Sequence, residues 1–374
     1  MKIEEFIKCM TDQLPVKTYN ENFYYTVKKM LDNYYNRLKL IDESEFNDFL
    51  KMNKDDFLGN PTKARFLSLI KQINEKCLEI LFYLYQGDIY RANITFLNLL
   101  LCSKETSYKL NDMYVNYLAS KFDIPDKVYR CVVFKKDGQP KICRHLPFEL
   151  RHNANRGRYN MLGSIFLYLS DDKETAIKEL GQISENQDIW ISEYHAKKKL
   201  IFADLRIPTK EAICGMSEYD KFCFLITYPI LLLCNFETNK QTTYSFNEEY
   251  LFPQLLSHIL FIINDDEIPY YNKKKSVPQI DGLCYSSMCN KTTSNYLLPV
   301  PFHKGIIDDN GYDIEYKEMK FDGQNCARNW TPNKNKLFPI KGFSKYIEKE
   351  LFEITKSYKV EKSSHETNDI QQKK

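Results

Sequence analysis

From the first residue to about position 122, apolar side chains return at three- and four-residue steps. The segments ENFYYTVKKMLDNYYNRLKLI, KARFLSLIKQINEKCLEILFYLY and DIYRANITFLNLLL carry this spacing, which lays one apolar stripe along a helix. Gly59-Asn60-Pro61, Gly87-Asp88 and Ser103 to Thr106 interrupt the pattern and predict the breaks. Strong alternation of period two is absent, so residues 1–122 are predicted to form an all-helical domain. No catalytic motif falls within it.

Asp123-Ile124-Pro125-Asp126 marks a change of texture. Short β-type runs follow at Val128 to Phe134, Ile165 to Leu169, Leu200 to Ala203, Leu283 to Tyr285 and Tyr296 to Val300. Helices are predicted between them: Asp172 to Gly181 with Asp172 as N-cap, Ser217 to Cys234, and Phe246 to Ile263. Tyr312 to Leu337 reads as strand and loop, and Lys341 to Lys356 as a helix. The mixture has no regular βαβ cadence, which predicts an α+β class. The polar residues 359–374 are predicted to be disordered, and no internal repeat is found.

The longest apolar run, Phe222 to Phe236, has 15 residues with Pro229 in its middle. A bilayer needs about 20, so the run is predicted to be a buried core segment and no membrane span is expected. The chain has 374 residues, which suits two domains, and 43% of them are apolar, enough for a real core. Lys and Arg number 53 against 50 Asp and Glu, a net +3. Such a balance recruits neither nucleic acid nor an anionic membrane. Eleven cysteines, an odd count with no CxxC pair, read as reduced thiols in a cytoplasmic chain. The opening MKIEEFIKCMTDQ places two glutamates before any apolar run, unlike a signal peptide.

Arginine is distributed unevenly. Five of the ten arginines lie between Arg130 and Arg158. The guanidinium fork binds phosphate or carboxylate bidentately, as lysine cannot, so this stretch is a candidate anion site. Ion pairing within the fold is the alternative, with Asp171 or Glu174 as partners for Arg158. GxGxxG, GxxxxGK[ST], HExxH and GxSxG are all absent, and the six histidines are isolated. No metal site is therefore expected.

What remains is an ordered array. Arg156-Gly157-Arg158-Tyr159-Asn160 precedes Phe166-Leu167-Tyr168-Leu169-Ser170, and Thr175-Ala176-Ile177-Lys178-Glu179 follows. Arg158, Tyr168 and Glu179 are thus predicted on a turn, a strand and a helix. Downstream come Glu249 to Leu256, then Asp281-Gly282-Leu283-Cys284-Tyr285-Ser286-Ser287 and Asn295-Tyr296. In this order the sequence resembles the RES domain family, over roughly residues 128–305. It is most similar to a longer branch with a helical N-terminal region, in which His145-Leu146-Pro147-Phe148-Glu149-Leu150-Arg151 precedes the arginine turn. Tyr228-Pro229 and Cys234 also look like that branch.

The resemblance implies an ADP-ribosyltransferase-like mixed α/β fold over residues 128–352, with a C-terminal extension at 306–352. It implies NAD⁺ as substrate, no metal, and cleavage of the nicotinamide–ribose bond by hydrolysis or phosphorolysis, as in bacterial toxins of this family. Arg158, Tyr168, Glu179 and Ser287 map onto its catalytic residues. Arg130 and Asn295 join Arg158 and Tyr168 as NAD⁺-binding residues. Ser286 stands where the family motif often has proline, which leaves open which serine acts.

The chemistry agrees with that mapping. Breaking this bond expels a neutral leaving group through an oxocarbenium-like transition state, which needs charge and positioning more than acid catalysis. Arginines suit the diphosphate, a tyrosine face suits the cationic nicotinamide ring, and a carboxylate suits the developing positive ribose. Two rivals stay open: an ADP-ribosyltransferase acting on a protein, and a non-catalytic binding module. An antitoxin or regulatory protein and self-association also remain open as partners. For residues 1–122, a sensing or restraining role and a structural extension of the second domain are both retained.

Overall fold

The computed structural model describes residues 1–17, 22–54, 60–101, 114–121, 124–136, 143–146, 152, 154, 157–161, 164–181, 183–238, 247–263, 280–300, 305–307, 313–315 and 352–360. In chain order the elements begin with α1 (Ile3–Thr11), β1 (Val16–Lys17), α2 (Phe23–Lys39), α3 (Glu43–Met52), α4 (Lys63–Tyr85), α5 (Ile89–Leu100) and α6 (Tyr114–Leu118). Then come β2 (Ala119–Lys121), β3 (Val128–Lys135), β4 (Phe166–Ser170), α7 (Lys173–Lys178), β5 (Gln187–Ala196), β6 (Ile201–Leu205), α8 (Lys210–Cys214), α9 (Glu218–Cys234) and β7 (Phe236–Glu237). A 3-10 turn, Glu248–Tyr250, leads into α10 (Leu251–Ile263), followed by β8 (Gly282–Ser286), β9 (Ser294–Pro299), β10 (Gly305–Ile307), β11 (Asp313–Glu315) and β12 (Phe352–Lys359). The chain is a mixed α/β protein, compatible with the α+β class expected.

Two compact units are drawn from alternating pieces of the chain. One comprises Met1–Asp123, Asn155–Ser164 and Lys199–Pro299; the other comprises Ile124–Ala154, Ile165–Lys198 and Val300–Lys374. The division therefore does not follow a single cut between residues 122 and 128.

The reason lies in α9. It is buried along nearly its whole length, as a core segment should be, and Pro229 sits in its interior. Proline has no N–H, so it leaves the carbonyl four residues earlier without its helical donor. That carbonyl belongs to Leu225, and the fully buried Tyr34 hydroxyl of α2 donates to it. The Tyr114 hydroxyl of α6 donates to the next carbonyl, Ile226, at 2.8 Å. Tyr34 also stacks on Tyr228 with ring centroids 4.5 Å apart. Phe222, at the start of α9, is ringed by Phe49, Phe66 and Tyr117 at 6.4, 6.1 and 5.8 Å. The N-terminal helices thus share one core with α9.

Tyr34→Phe is expected to leave the Leu225 carbonyl buried and without a donor, costing about 1–3 kcal/mol. Urea unfolding should show a lower midpoint at unchanged slope; an unchanged midpoint would mean that this bond contributes nothing.

The strands of the first unit run β9-β8-β6-β2. β8 is antiparallel to β9 and parallel to β6, and β2 is antiparallel to β6. A Cβ at Gly282 would lie 2.4 Å from the Leu297 carbonyl oxygen and 2.9 Å from the Phe202 ring, so only glycine fits there. β1 pairs in parallel with β7. Among the described residues of 1–122, the regular structure is therefore helical apart from β1 and β2. Gly87, at φ +71°, closes α4 in the left-handed conformation that favours glycine.

The strands of the second unit run β12-β5-β3-β4, all antiparallel, with a separate β10–β11 hairpin. The five sequence-predicted strands are all present, within a residue or two at their ends. β5, which was not anticipated, is the long strand that joins β3 to β12. Two other expectations are corrected. The helix expected over Lys341 to Lys356 is a strand from Phe352 onward, because pairing with β5 fixes this stretch in extended form; residues 341–351 lie outside the described residues. Lys359, assigned to a disordered tail, ends β12 and forms an ion pair with Asp188 at 2.9 Å; residues 361–374 lie outside the description, as do 316–337 of the expected strand and loop. The helix expected from Phe246 begins at Leu251, with Pro253 in its first turn, where a missing N–H costs no helical bond.

Candidate active site

Arg158 sits on a turn, Gly157 to Asn160, closed by the Asn160 amide donating to the Gly157 carbonyl at 3.2 Å. Two residues of α10 clamp this turn: the Gln254 amide donates to the Gly157 carbonyl at 2.9 Å, and the buried Ser257 hydroxyl donates to the Tyr159 carbonyl at 2.6 Å. The Tyr159 ring rests against Tyr285 of β8, centroids 4.8 Å apart.

The turn aims the Arg158 side chain at the end of α9. Its Nη1 donates to the Cys234 and Phe236 carbonyls at 3.0 and 2.7 Å, and its guanidinium lies 5.5 Å from the Tyr250 ring centroid. The last carbonyls of a helix lack helical donors and carry the negative end of its dipole, so a guanidinium there is a natural cap. Burial pushes the Cys234 thiol up, so the group beside Arg158 is neutral. Among the described residues Arg158 meets no carboxylate, neither Asp171 nor Glu174, and its Nε and Nη2 are uncommitted. Arg91 and Arg206, by contrast, pair with Asp88 and Asp204 at 2.7 and 2.6 Å.

Asn295 and the serines belong to the same unit. Asn295 of β9 lies opposite Tyr285 of β8, and cross-strand neighbours share a face of the sheet. That is the face on which the Arg158 turn packs through Tyr159. Both serines are buried. The Ser286 hydroxyl accepts the Ile207 amide at 2.9 Å and holds the chain leaving β6, whereas the Ser287 hydroxyl accepts the Cys289 amide at 3.1 Å within its own turn.

Arg130, Tyr168 and Glu179 fall in the second unit. Arg130, on β3, donates from Nε to the Arg144 carbonyl at 2.9 Å and from Nη1 to the Tyr168 carbonyl at 3.0 Å. Arg130 is thereby fixed to the backbone of Tyr168, whose side chain on β4 is half-buried. Glu179 is exposed and stands at the C-cap of α7. The turn, strand and helix expected for Arg158, Tyr168 and Glu179 are therefore present, with Glu179 one residue past the helix. Of the motif before the arginine turn, His145 is buried, while Pro147 to Arg151 lie outside the described residues, as does Arg156.

Asp172 sets the start of α7, accepting the Thr175 amide and hydroxyl at 2.7 and 2.6 Å. The Thr175 hydroxyl, reinforced by that amide, holds the Asp172 carboxyl below its usual range. A lowered folded value means that the cap stabilises fully above the unfolded carboxylate value and weakens as pH falls through the folded one. Asp172→Ala should cost about 1 kcal/mol at pH 7, with a gap from wild type that closes in acid. A melting-temperature series from pH 7 to pH 3 checks this; a constant gap would exclude the carboxylate as its source.

Sequence reasoning left Tyr250, Gln254 and Ser257 without roles. Tyr250 and Gln254 stood in the Glu249 to Leu256 run, but backbone acceptors such as those of Cys234 and Phe236 leave no mark in a sequence. Comparison with protein-family models, with curated proteins and with solved structures finds no match to this chain. No described helix is long and apolar enough to cross a membrane.

Proposed function

We propose that this chain is a RES-like enzyme with an ADP-ribosyltransferase-like catalytic fold, which binds NAD⁺ and cleaves its nicotinamide–ribose bond. The observation that carries the reading is the state of Arg158. Among the described residues it is held by backbone carbonyls, meets no carboxylate, and keeps two guanidinium nitrogens for an anion. Arg130, fixed in the same way to Arg144 and Tyr168, supports it.

In this reading Arg158 and Arg130 hold the diphosphate by charge-assisted hydrogen bonds. Tyr168 presents its ring to the cationic nicotinamide, and Glu179 stabilises the oxocarbenium-like ribose. Ser287 and Asn295 hydrogen-bond the carboxamide or ribose. The carbon–nitrogen bond breaks with its electron pair leaving on nicotinamide, and water or phosphate supplies the new bond to the ribose. The protein acts in the cytoplasm, and a NAD⁺ consumer of this kind needs an antitoxin or another regulatory protein to restrain it.

The test incubates the full chain with NAD⁺, with and without phosphate, and follows products by chromatography beside Glu179→Ala. Nicotinamide release that falls at least a hundredfold in the variant is expected, and the second product names the acceptor. Label retained on a protein in place of free ADP-ribose would favour the transferase. Neither binding nor turnover of NAD⁺ by the wild type would overturn the reading.

A further inference from the structure

Tyr250, the aromatic floor under Arg158, lies in a short 3-10 turn that runs directly into α10. The 3-10 turn Glu248–Tyr250 is three residues long, and its N-cap residue Asn247 makes no side-chain capping bond. Its backbone bonds are those of the Tyr250 amide to the Asn247 carbonyl, at 3.1 Å, and of the Leu251 amide to the Glu248 carbonyl. So brief a turn is placed by α10, into which it runs, and by the partners of its side chains.

Glu248 and Tyr250 point to different anchors. The Tyr250 ring packs under the Arg158 guanidinium, and the Glu248 carboxylate accepts the Tyr85 hydroxyl. Tyr85 is the last residue of α4, ahead of the Gly87 turn, and its ring meets Tyr24 of α2 edge-on, centroids 6.3 Å apart at 89°. Its phenol is therefore carried by two long helices, not by a loop. Tyr85 is partly exposed; partial desolvation, followed by the Glu248 bond, raises its phenol further above neutral pH, where it is a donor.

We infer that Tyr85 is a positioning residue for Arg158, acting through Glu248 and Tyr250. The inference rests on the reading of Arg158 as the anion-holding group. With the Tyr85–Glu248 bond made, the 3-10 turn is held against the end of α4 and the Tyr250 ring is held beneath the guanidinium. Without it, the turn loses its tie to the end of α4, and the wall that orients the uncommitted nitrogens of Arg158 is held less firmly. In this way residues 1–122 contribute to the arginine site without touching substrate.

The experiment uses the full chain and two readouts. The first needs no substrate: phenylglyoxal, an arginine-specific reagent, labels wild type, Tyr85→Phe, Glu248→Ala and Glu248→Gln, and peptide mass spectrometry follows the rate at Arg158. Both Tyr85→Phe and Glu248→Ala are expected to raise that rate about fivefold or more with Arg206 unchanged. Glu248→Gln, which keeps an acceptor oxygen for the phenol, should restore it. Equal rates at Arg158 in wild type and Tyr85→Phe would overturn the inference, as would a rise shared by Arg206, which would report general loosening. The second readout is NAD⁺ turnover, where Tyr85→Phe should raise KM several-fold with kcat within twofold; a fall in kcat at constant KM would also overturn it. A wild type inert towards NAD⁺ would remove the proposed activity while the labelling still decides the link between Tyr85 and Arg158.

Discussion

A chain beginning at Asp123 is expected to be recovered as insoluble or unfolded material, not as a freely acting catalytic domain. The cause is what α9 would lose. The Leu225 and Ile226 carbonyls would lose the Tyr34 and Tyr114 hydroxyls. The rings of Phe49, Phe66 and Tyr117 would leave Phe222, and Phe96 would leave Phe252 of α10. Exposing five or more large side chains at about 1.5–3 kcal/mol each exceeds most of the roughly 5–15 kcal/mol by which a domain is stable. Circular dichroism and size exclusion on the truncated chain check this. A soluble, cooperatively folded remainder would show that the N-terminal helices are dispensable to the α9 core.

Arg158→Lys should abolish most of the proposed activity while the protein stays folded. Lysine keeps the charge, but a single ammonium cannot satisfy the Cys234 and Phe236 carbonyls and also present a fork to a diphosphate. Hydrogen bonds to a charged group are worth about 1.5–3 kcal/mol each, so losing two in the complex lowers kcat/KM by roughly two to four orders of magnitude. The cost to the unliganded fold is the weakened cap on α9, about 1 kcal/mol. Calorimetric titration with NAD⁺ and a thermal melt separate the two effects. Retained affinity in Arg158→Lys would show that Arg158 serves only to close α9.

Much of this architecture was legible before the structure because its strands and helices obey their local periods. β3, β4, β6, β8 and β9 announced themselves as short apolar runs, and α9 as a span too short for a membrane. β5 was not legible because it has no clean alternation. Asp188 and Ser192 are buried in it beside Ile189, Ile191 and Tyr194, each satisfied by a partner distant in sequence, Lys359 and Ser357. β12 failed for a related reason, since its extended form comes from β5 rather than from its own mixed composition. Among the candidate site residues, Arg158, Tyr168 and Glu179 could be singled out by the order of motifs that carries the family resemblance. The carbonyls that hold Arg158 could not, because every residue except glycine and proline offers the chain much the same backbone.

The stitching of α2 to α9 has a consequence for how this protein is made. The Tyr34 hydroxyl and the Leu225 carbonyl are 191 residues apart. At a synthesis rate of about 5–20 residues per second, the aromatic faces of α2 and α4 wait on the order of ten to forty seconds on the ribosome for the segment that covers them. During that interval they are exposed to other nascent chains and to chaperones. Slowed translation after residue 122, or depletion of the chaperones that shield nascent apolar helices, is therefore expected to lower the yield of folded protein.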